Sequence, residues 1–314
     1  MCNEFKIYKS LKCVRIAVMN KKLTLKKIMP RPDWDPTVDV EQGTLTATAS
    51  SRIKRDLLSI FTEPPPGLFV VGDENNLKIV HALILGVMDT PYEGGFFYFI
   101  LKCPNDYPIH PPKVKLMTTD AGRVRFNPNM YRSGKVCLSI LGTWEGPSWS
   151  PAQQLSSLLL SIQSLMNERP YFNEPGYFKE EVPGDSKRYN EYIQHETLRV
   201  SVCGMLENEC RLVIPDQLKD IMEKTFLEFY DQYVETVKNN LHLDGTTMID
   251  PFTKDKYPCR YKTILRRLEN LHSKLHAKRM PLVKVPSSTE TVVAGTDVDS
   301  SQQSAKSENK NDSN

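Results

Sequence analysis

Ile53, Leu57, Leu58 and Phe61 fall at helical spacing after Thr46. This predicts an opening helix with Ser50 or Ser51 as its cap. It must stop at Glu63-Pro64-Pro65-Pro66-Gly67, because consecutive prolines supply no N–H to a helical ladder. Four strand-like runs follow, Leu68–Val71, Ile79–Gly86, Phe96–Lys102 and Val114–Thr118, punctuated by Gly, Asp, Asn and Pro. Short connections between them imply an antiparallel meander. The third run, Phe96-Phe97-Tyr98-Phe99-Ile100-Leu101, is apolar on both faces. It is expected inside the sheet, with a helix over one side.

Beyond the third run the rhythm loosens. Pro104, Pro108, Pro111 and Pro112 make a stiff crossing between Cys103 and Lys113, with one Xaa-Pro bond a candidate for cis. Asp120 to Pro151 carries little regular pattern. Helical periodicity returns over Ala152–Glu168, where Leu155, Leu158, Leu159, Ile162, Leu165 and Met166 form the stripe expected to cover the sheet. Further helices are expected from about Ser186 to Cys203, from Pro215 to about Leu241, and from Tyr261 to Met280. The stripe of the middle one, with Leu218, Ile221, Met222, Phe226, Phe229, Tyr230, Tyr233 and Val237, reads as a packing face against the core. From Pro286 to Asn314 the chain is rich in Ser, Thr, Asn and Asp, and disorder is expected.

Composition sharpens this picture at three points. A chain of 314 residues exceeds a typical domain of ~100–200, so a core plus extensions is expected. Lys+Arg 41 against Asp+Glu 38 is too balanced for a nucleic-acid binder, and no apolar run is long enough to predict a membrane span. Met1 to Pro30 holds eight basic residues and one acid. It reads as a flexible leader; a mitochondrial presequence would carry more serine and arginine. Cytoplasm and nucleus are the expected compartments.

The seven cysteines, Cys2, Cys13, Cys103, Cys137, Cys203, Cys210 and Cys259, are odd in number and form no C-x-x-C pair. They fit neither a disulfide framework nor a zinc site, so most should be buried or incidental thiols. His195, Cys203, Cys210 and His242 match no common metal spacing, and no metal is expected. His81 and His110 read as structural or surface residues.

An irregular stretch of this length inside a domain is usually functional. Here it reads Arg125-Phe126-Asn127-Pro128-Asn129-Met130-Tyr131-Arg132-Ser133-Gly134-Lys135-Val136-Cys137-Leu138-Ser139-Ile140-Leu141-Gly142-Thr143-Trp144. It resembles the active-site signature of ubiquitin-conjugating enzymes, a Pro-Asn pair eight residues ahead of a Cys that is followed by Leu-x-Ile-Leu. Five further stretches resemble that family in order. They are Arg52-Ile53-x-Arg55-Asp56-Leu57 with Glu63-Pro64-Pro65, Thr90-Pro91-Tyr92-Glu93-Gly94-Gly95-Phe96-Phe97, and Pro104-x-Asp106-Tyr107-Pro108-x-x-Pro111-Pro112-Lys113-Val114. After the cysteine come Trp149-Ser150-Pro151-Ala152 and Leu159-Leu160-Ser161-Ile162-Gln163-Ser164-Leu165. The resemblance spans roughly Arg52 to His195.

It implies an α+β ubiquitin-conjugating core with a four-stranded antiparallel meander and flanking helices, followed by a C-terminal helical extension. The expected division is a flexible basic leader over 1–46, the catalytic core over 47–200, the extension over 201–282 and a disordered tail over 283–314. Three departures narrow the match. Asn127 stands where the family usually has histidine, Ser139 where it usually has aspartate, and about four extra residues near Trp144-Glu145-Gly146-Pro147 lengthen the loop after Cys137. With Asn173-Glu174-Pro175-Gly176-Tyr177 and Pro183-Gly184-Asp185-Ser186, these resemble a long subgroup of the family that carries a helical extension.

The chemistry of the residues agrees. A thiol of pKa ~8.5 already supplies a few per cent of thiolate near neutrality, making Cys137 the candidate nucleophile. Exchange of one thioester for another changes free energy little, since the bonds broken and made are alike. The developing oxyanion needs a neutral donor, for which the Asn129 amide is the candidate, with Asn127 supporting the loop. No histidine lies near Cys137 in sequence, which suits acyl transfer better than hydrolysis. The resemblance places Asn173 and Glu174 on the side of the acceptor lysine. It makes Arg52, Lys54 and Arg55 a docking face for the activating enzyme, against a reading as a solvated helix face. Ile109 and Ser150-Pro151-Ala152 become contact loops for the activating enzyme or a ligase.

The implied activity is transfer of ubiquitin, or a ubiquitin-like modifier, from an activating enzyme through Cys137 to a substrate lysine or a ligase. ATP is consumed by the activating enzyme, so no cofactor is expected here. The subgroup resemblance implies charging by the alternative of two activating enzymes and tolerance of a second modifier. A monomer is expected, with neither nucleic acid nor membrane as partner. The competing readings are a non-catalytic scaffold that binds ubiquitin or a ligase, and a cysteine hydrolase.

Overall fold

Thr46 starts the first helix. Its backbone is extended and its Oγ1 accepts the Ala49 N–H at 3.1 Å, satisfying one of the donors a helix start leaves unpaired. In the computed structural model, which describes residues 33–38 and 43–279, helix α1 therefore spans Ala47–Thr62, with Ser50 and Ser51 inside it. Its buried stripe is Ala49, Ile53, Asp56 and Ile60, while Leu58 and Phe61 are exposed. The expected stripe was thus rotated by about one position. The cause is a polar residue in the buried face: Asp56 packs inward because three groups hydrogen-bond it. Most of the leader, the tail from 280, and Cys2 and Cys13 lie outside the described residues.

The meander forms as expected: β1 (Leu68–Gly72), β2 (Ile79–Leu85), β3 (Phe96–Lys102) and β4 (Lys113–Leu116) pair in sequence order, all antiparallel. The crossing before β4 holds one cis bond, Tyr107–Pro108. After it come a single 3₁₀ turn, Ser139–Leu141, and helix α2 over Leu155–Gln163. α2 is shorter than the expected Ala152–Glu168. The Gln154–Ser157 pair forms a capping box that fixes its start, and the Asn167 side chain turns back to the Arg169 N–H beyond its end.

β3 is apolar on both faces because both faces are covered, not one. Phe97, Phe99 and Leu101 pack with α1 and α2 through Ile53, Ile60, Leu158, Leu159 and Ile162. Phe96 and Tyr98 point the other way, into a second cluster built by the C-terminal helices. That layer comprises a π-helical stretch over Thr197–Gly204, then α4 (Asp216–Glu228), α5 (Tyr230–Asn239) and α6 (Tyr261–Arg279); α3 (Asp185–Glu196), which runs into the π-helical stretch, packs Tyr189, Tyr192 and Ile193 into the first cluster. The single helix expected from Pro215 to Leu241 breaks at Phe229. Its stripe packs on the sheet as expected, through Leu218, Met222, Phe226, Tyr233 and Val237. Gly94 shows how tightly: its φ is +68°, the Tyr233 hydroxyl donates to its carbonyl at 2.7 Å, and a Cβ there would meet the tyrosine ring at 2.6 Å. A short hairpin, β5 (Thr247–Ile249) with β6 (Lys256–Pro258), connects α5 to α6.

Candidate active site

Asn127 is fully buried and anchors the irregular segment. Its Nδ2 donates to the Tyr92 hydroxyl (2.9 Å) and the Leu165 carbonyl (2.8 Å), while its Oδ1 accepts the Asn129 N–H (2.9 Å). A carboxamide offers two donors and an acceptor oxygen, and all are in use here. Asn127 thus supports the loop, tying it to the end of α2. Met130 and Val136, both buried, pin the two limbs of the turn, and Gly134 takes a φ of +87° between them.

This brings Asn129 and Cys137 side by side. The Cys137 N–H donates to the Asn129 carbonyl at 2.8 Å, and Asn129 Nδ2 donates to the Cys137 carbonyl at 3.0 Å. One amide N–H of Asn129 is committed to the backbone, leaving the other for a reacting group. Thr143 steadies the turn after the cysteine, accepting the Leu138 N–H and donating to the Val136 carbonyl. Cys137 is only 1% exposed. Tyr131 is partly buried, and burial first of all, then the nearness of Cys137, holds its hydroxyl above the usual pKa.

Asn173 is hydrogen-bonded within the fold. Its Nδ2 donates to the Leu165 carbonyl at 2.9 Å and its Oδ1 accepts from Asn167, making it a strut beneath Asn127. Glu174 does approach the site, but as the partner of Arg125 at 3.0 Å. Arg125 also donates to the Pro128 carbonyl at 2.6 Å, and its guanidinium lies 4.8 Å from the centre of the Tyr131 ring. Sequence reasoning missed Arg125, Tyr131 and Tyr92. A charged residue between Val124 and Phe126 was the one available hint.

The partner-facing residues separate into two kinds. Lys54 and Arg55 are exposed, as are Ile109, Ser150, Pro151 and Ala152. Arg52 is not: its side chain is 10% exposed and donates to Asp56 (2.7 Å), the Pro151 carbonyl (3.0 Å) and the Gln153 carbonyl (2.5 Å). It clamps the Ser150 loop to α1. Asp56 completes the joint by accepting the Tyr107 hydroxyl (2.6 Å) and the Leu155 N–H at the start of α2. The Trp149 indole donates to the Pro108 carbonyl at 2.8 Å, so the Ile109 and Ser150 loops form one continuous exposed edge beside α1.

No described cysteine is in a disulfide, and burial raises the Cys103 and Cys203 thiols, the latter to about 12, leaving them poor nucleophiles. Among the described residues no group of three His, Cys, Asp or Glu could hold a metal. All six histidines take their contacts away from the cysteine. His81 meets Tyr98 and Asp73, His110 meets Asp106, His242 meets the Asn239 carbonyl, and His272 stacks on Tyr230 with the His276 ring tilted beside it. His195 accepts the Arg260 N–H on Nε2, which makes its Nδ1 the donor to Glu196.

A four-stranded meander backed by two helices, with an asparagine bracketing a cysteine on the long loop after it, is a conjugating-enzyme site. Residues 52–196 match the family model described as ubiquitin-conjugating enzyme. The chain belongs to the ubiquitin-conjugating enzyme family. It is 56% identical over 247 residues to "Ubiquitin-conjugating enzyme E2 Z" of Xenopus tropicalis, covering 78% of each chain. The protein of the same name from Homo sapiens is 58% identical over 244 residues, 77% of this chain and 68% of that one. "Probable ubiquitin-conjugating enzyme protein 17" of Caenorhabditis elegans is 35% identical over 254 residues, 75% of this chain and 34% of its own. Enzymes of this family work with ubiquitin, an activating enzyme and ligases, and need no cofactor of their own.

Proposed function

We propose that Cys137 carries ubiquitin as a thioester. The observation that supports this reading best is the reciprocal pairing of Cys137 with Asn129, which fixes the Asn129 amide against the Cys137 backbone. The Cys137 thiolate attacks the carbonyl carbon of the thioester on the activating enzyme, forming the new C–S bond as the activating enzyme's thiolate leaves. The remaining N–H of Asn129 holds the oxyanion in each tetrahedral state. In the second transfer a substrate amine, or a ligase thiolate, attacks the same carbon and Cys137 departs as thiolate. An amine of pKa ~10.4 must lose its proton to do so. Glu174, paired with Arg125 at 3.0 Å, is the candidate carboxylate on the acceptor side. With the histidines occupied elsewhere, nothing favours the hydrolase alternative.

The exposed edge formed by Lys54, Arg55, Ile109 and Ser150–Ala152 serves as the docking face for the activating enzyme and ligases. Likeness to relatives named E2 Z supports charging by the alternative activating enzyme and use of a second ubiquitin-like modifier. The reading has the chain act as a monomer in cytoplasm and nucleus, on protein partners alone. Among the described residues no helix is long and apolar enough to cross a membrane. One gel tests the core of this: the chain is incubated with ATP, ubiquitin and each activating enzyme in turn. A thiol-sensitive adduct that disappears in Cys137→Ala is expected; no adduct with either enzyme overturns the reading.

A further inference from the structure

Asn129 is reached through the Pro128–Asn129 peptide unit, which is planar, so holding its oxygen and its N–H sets its orientation. Both are held. The N–H donates to Asn127 Oδ1 at 2.9 Å. The oxygen, the Pro128 carbonyl, accepts Arg125 Nη2 at 2.6 Å. Across a trans peptide these two groups point opposite ways, so Asn127 and Arg125 grip the unit from opposite sides. The carbonyl before it, of Asn127, accepts Arg125 Nε at 3.3 Å. One guanidinium therefore spans two successive carbonyls of the turn that delivers Asn129.

Arg125 is itself fixed. Its Nη2 also donates to Glu174 Oε2 at 3.0 Å, and its side chain is 12% exposed. The guanidinium lies over two rings, 4.8 Å from the centre of Tyr131 and 5.6 Å from that of Phe252. Phe252, in the turn of the β5–β6 hairpin, packs in turn against Tyr171 and Tyr189, at 5.1 and 5.0 Å between ring centres. Hydrogen bonds from a charged donor are stronger than neutral ones, and a planar guanidinium with several fixed partners keeps one orientation. A donor serves a developing oxyanion only in the right place; misplacing it by about 1 Å can cost roughly a hundredfold in rate.

We propose that Arg125 is a positioning residue for Asn129. By fixing the Pro128–Asn129 peptide it keeps the Asn129 side chain on the Cys137 carbonyl, with the second amide N–H directed to the oxyanion. This rests on the reading that Cys137 carries the acyl group and Asn129 stabilises the oxyanion. Arg125 touches no reacting atom and neither gains nor loses a proton. Its influence passes through Asn129, so the two residues act as one unit.

The test uses the full chain. Single-turnover discharge of the Cys137 ubiquitin thioester to free lysine reads the chemistry. Iodoacetamide alkylation of Cys137, which forms no oxyanion, reads the thiol. Arg125→Lys keeps the charge but cannot span two carbonyls and a carboxylate. It should slow discharge about tenfold, part of the ~10²–10³ that a whole oxyanion donor is worth. Alkylation and KM for the activating enzyme should stay unchanged. Arg125→Gln should slow discharge further. In an Asn129→Ala background either Arg125 substitution should cost nothing more, because residues acting as one unit are not additive. Arg267→Gln, which breaks ion pairs to Glu207 and Glu209 in the extension, should lower the melting temperature and leave discharge alone.

Wild-type discharge in both Arg125 variants overturns the proposal. So do losses that add in full to those of Asn129→Ala, and so does an equal fall in alkylation, the mark of a collapsed loop. Arg125→Lys, which keeps the charge opposite Glu174, reports even where Arg125→Gln fails to fold. Hydrogen exchange followed by NMR needs no ubiquitin: the Asn129 and Cys137 backbone N–H groups should exchange faster in Arg125→Lys, with those of α2 unchanged. Unchanged exchange at Asn129 and Cys137 overturns the positioning role. Absence of any thioester in the unsubstituted chain would sink the function instead, and exchange would still judge Arg125.

Discussion

Asn129 and Cys137 are joined by two backbone-directed hydrogen bonds, one given by each residue: Cys137 N–H to Asn129 O at 2.8 Å, and Asn129 Nδ2 to Cys137 O at 3.0 Å. The asparagine is consequently held in place before any substrate arrives. A donor fixed in advance needs no reorganisation as charge develops, which is why losing one oxyanion donor typically costs ~10²–10³ in rate. Asn129→Ala should lower single-turnover thioester transfer by that order. Its iodoacetamide alkylation rate at Cys137 should change far less, because alkylation passes through no oxyanion. Equal losses in the two assays would assign Asn129 to loop structure alone.

Asn127 is expected to act on stability rather than on chemistry. Replacing it with alanine leaves the Asn129 N–H without its partner in a buried site and takes one of two donors from the Leu165 carbonyl, which keeps Asn173. An orphaned buried group costs about 1–3 kcal/mol, so Asn127→Ala should lose roughly 2 kcal/mol. Asn127→Asp should be worse: it keeps the acceptor, loses both donors and buries a charge. Urea unfolding checks this through the midpoint, with the slope unchanged. A midpoint close to that of the unsubstituted chain would remove Asn127 from its structural role.

The legible part of this fold is what repeats locally or sits within one loop. Strand-like runs punctuated by Gly, Asp, Asn and Pro placed all four strands, and the spacing of Asn129 and Cys137 within one segment picked out the pair that the structure brings together. What was not legible depends on contacts distant in sequence. β3 looked like a strand with one helix over it because nothing local tells which element covers the other face; α4 to α6 do so from more than a hundred residues away. Leu58 and Phe61 entered the α1 stripe because apolar character was taken to mean burial. The buried face instead turns on Asp56, whose partners Tyr107 and Leu155 belong to other elements. Arg52's internal role was hidden for the same reason, and so was the bracing of the Leu165 carbonyl by the Asn173 amide. Phe252 had no signal at all, being an aromatic residue in a short turn whose neighbours are Tyr171 and Tyr189.

The three basic residues of α1 should separate in a binding assay. Arg52 is used internally, with three donors fixed on Asp56, Pro151 and Gln153. Hydrogen bonds from a charged group to fixed acceptors are worth about 1.5–3 kcal/mol, so Arg52→Ala should lower stability by that amount. Arg52→Lys should recover little, since an ammonium lacks the forked geometry that spans two carbonyls and a carboxylate. Lys54→Ala and Arg55→Ala, on the exposed face, should leave unfolding unchanged and raise KM for the activating enzyme. Thermal melts paired with charging kinetics decide it. A higher KM in Arg52→Ala with an unchanged melt would return Arg52 to the docking face.

The last prediction concerns acid. Arg199 bridges two carboxylates from different parts of the chain, Asp120 just after β4 and Glu196 at the end of α3, at 2.8 and 2.5 Å. Burial alone would raise the Asp120 carboxyl. Hydrogen bonds from Arg123 and Arg199 outweigh burial and leave it below its usual pKa. Glu196 behaves likewise, with burial opposed by His195 and Arg199. A carboxylate whose folded pKa lies below its unfolded value of roughly 4 stabilises the fold fully above that pH. The contribution disappears as pH falls from there through the folded pKa. Stability should therefore hold from neutrality to about pH 5 and drop steeply below pH 4. Asp120 sits at a φ of +52°, a conformation asparagine tolerates, so Asp120→Asn tests the charge without straining the backbone. That variant should be less stable than the unsubstituted chain at pH 7, and the gap should close as the pH approaches 2. Urea midpoints at pH 7, 5, 4 and 3 measure it, and a gap that stays constant across the series rules the bridge out as the acid-labile element.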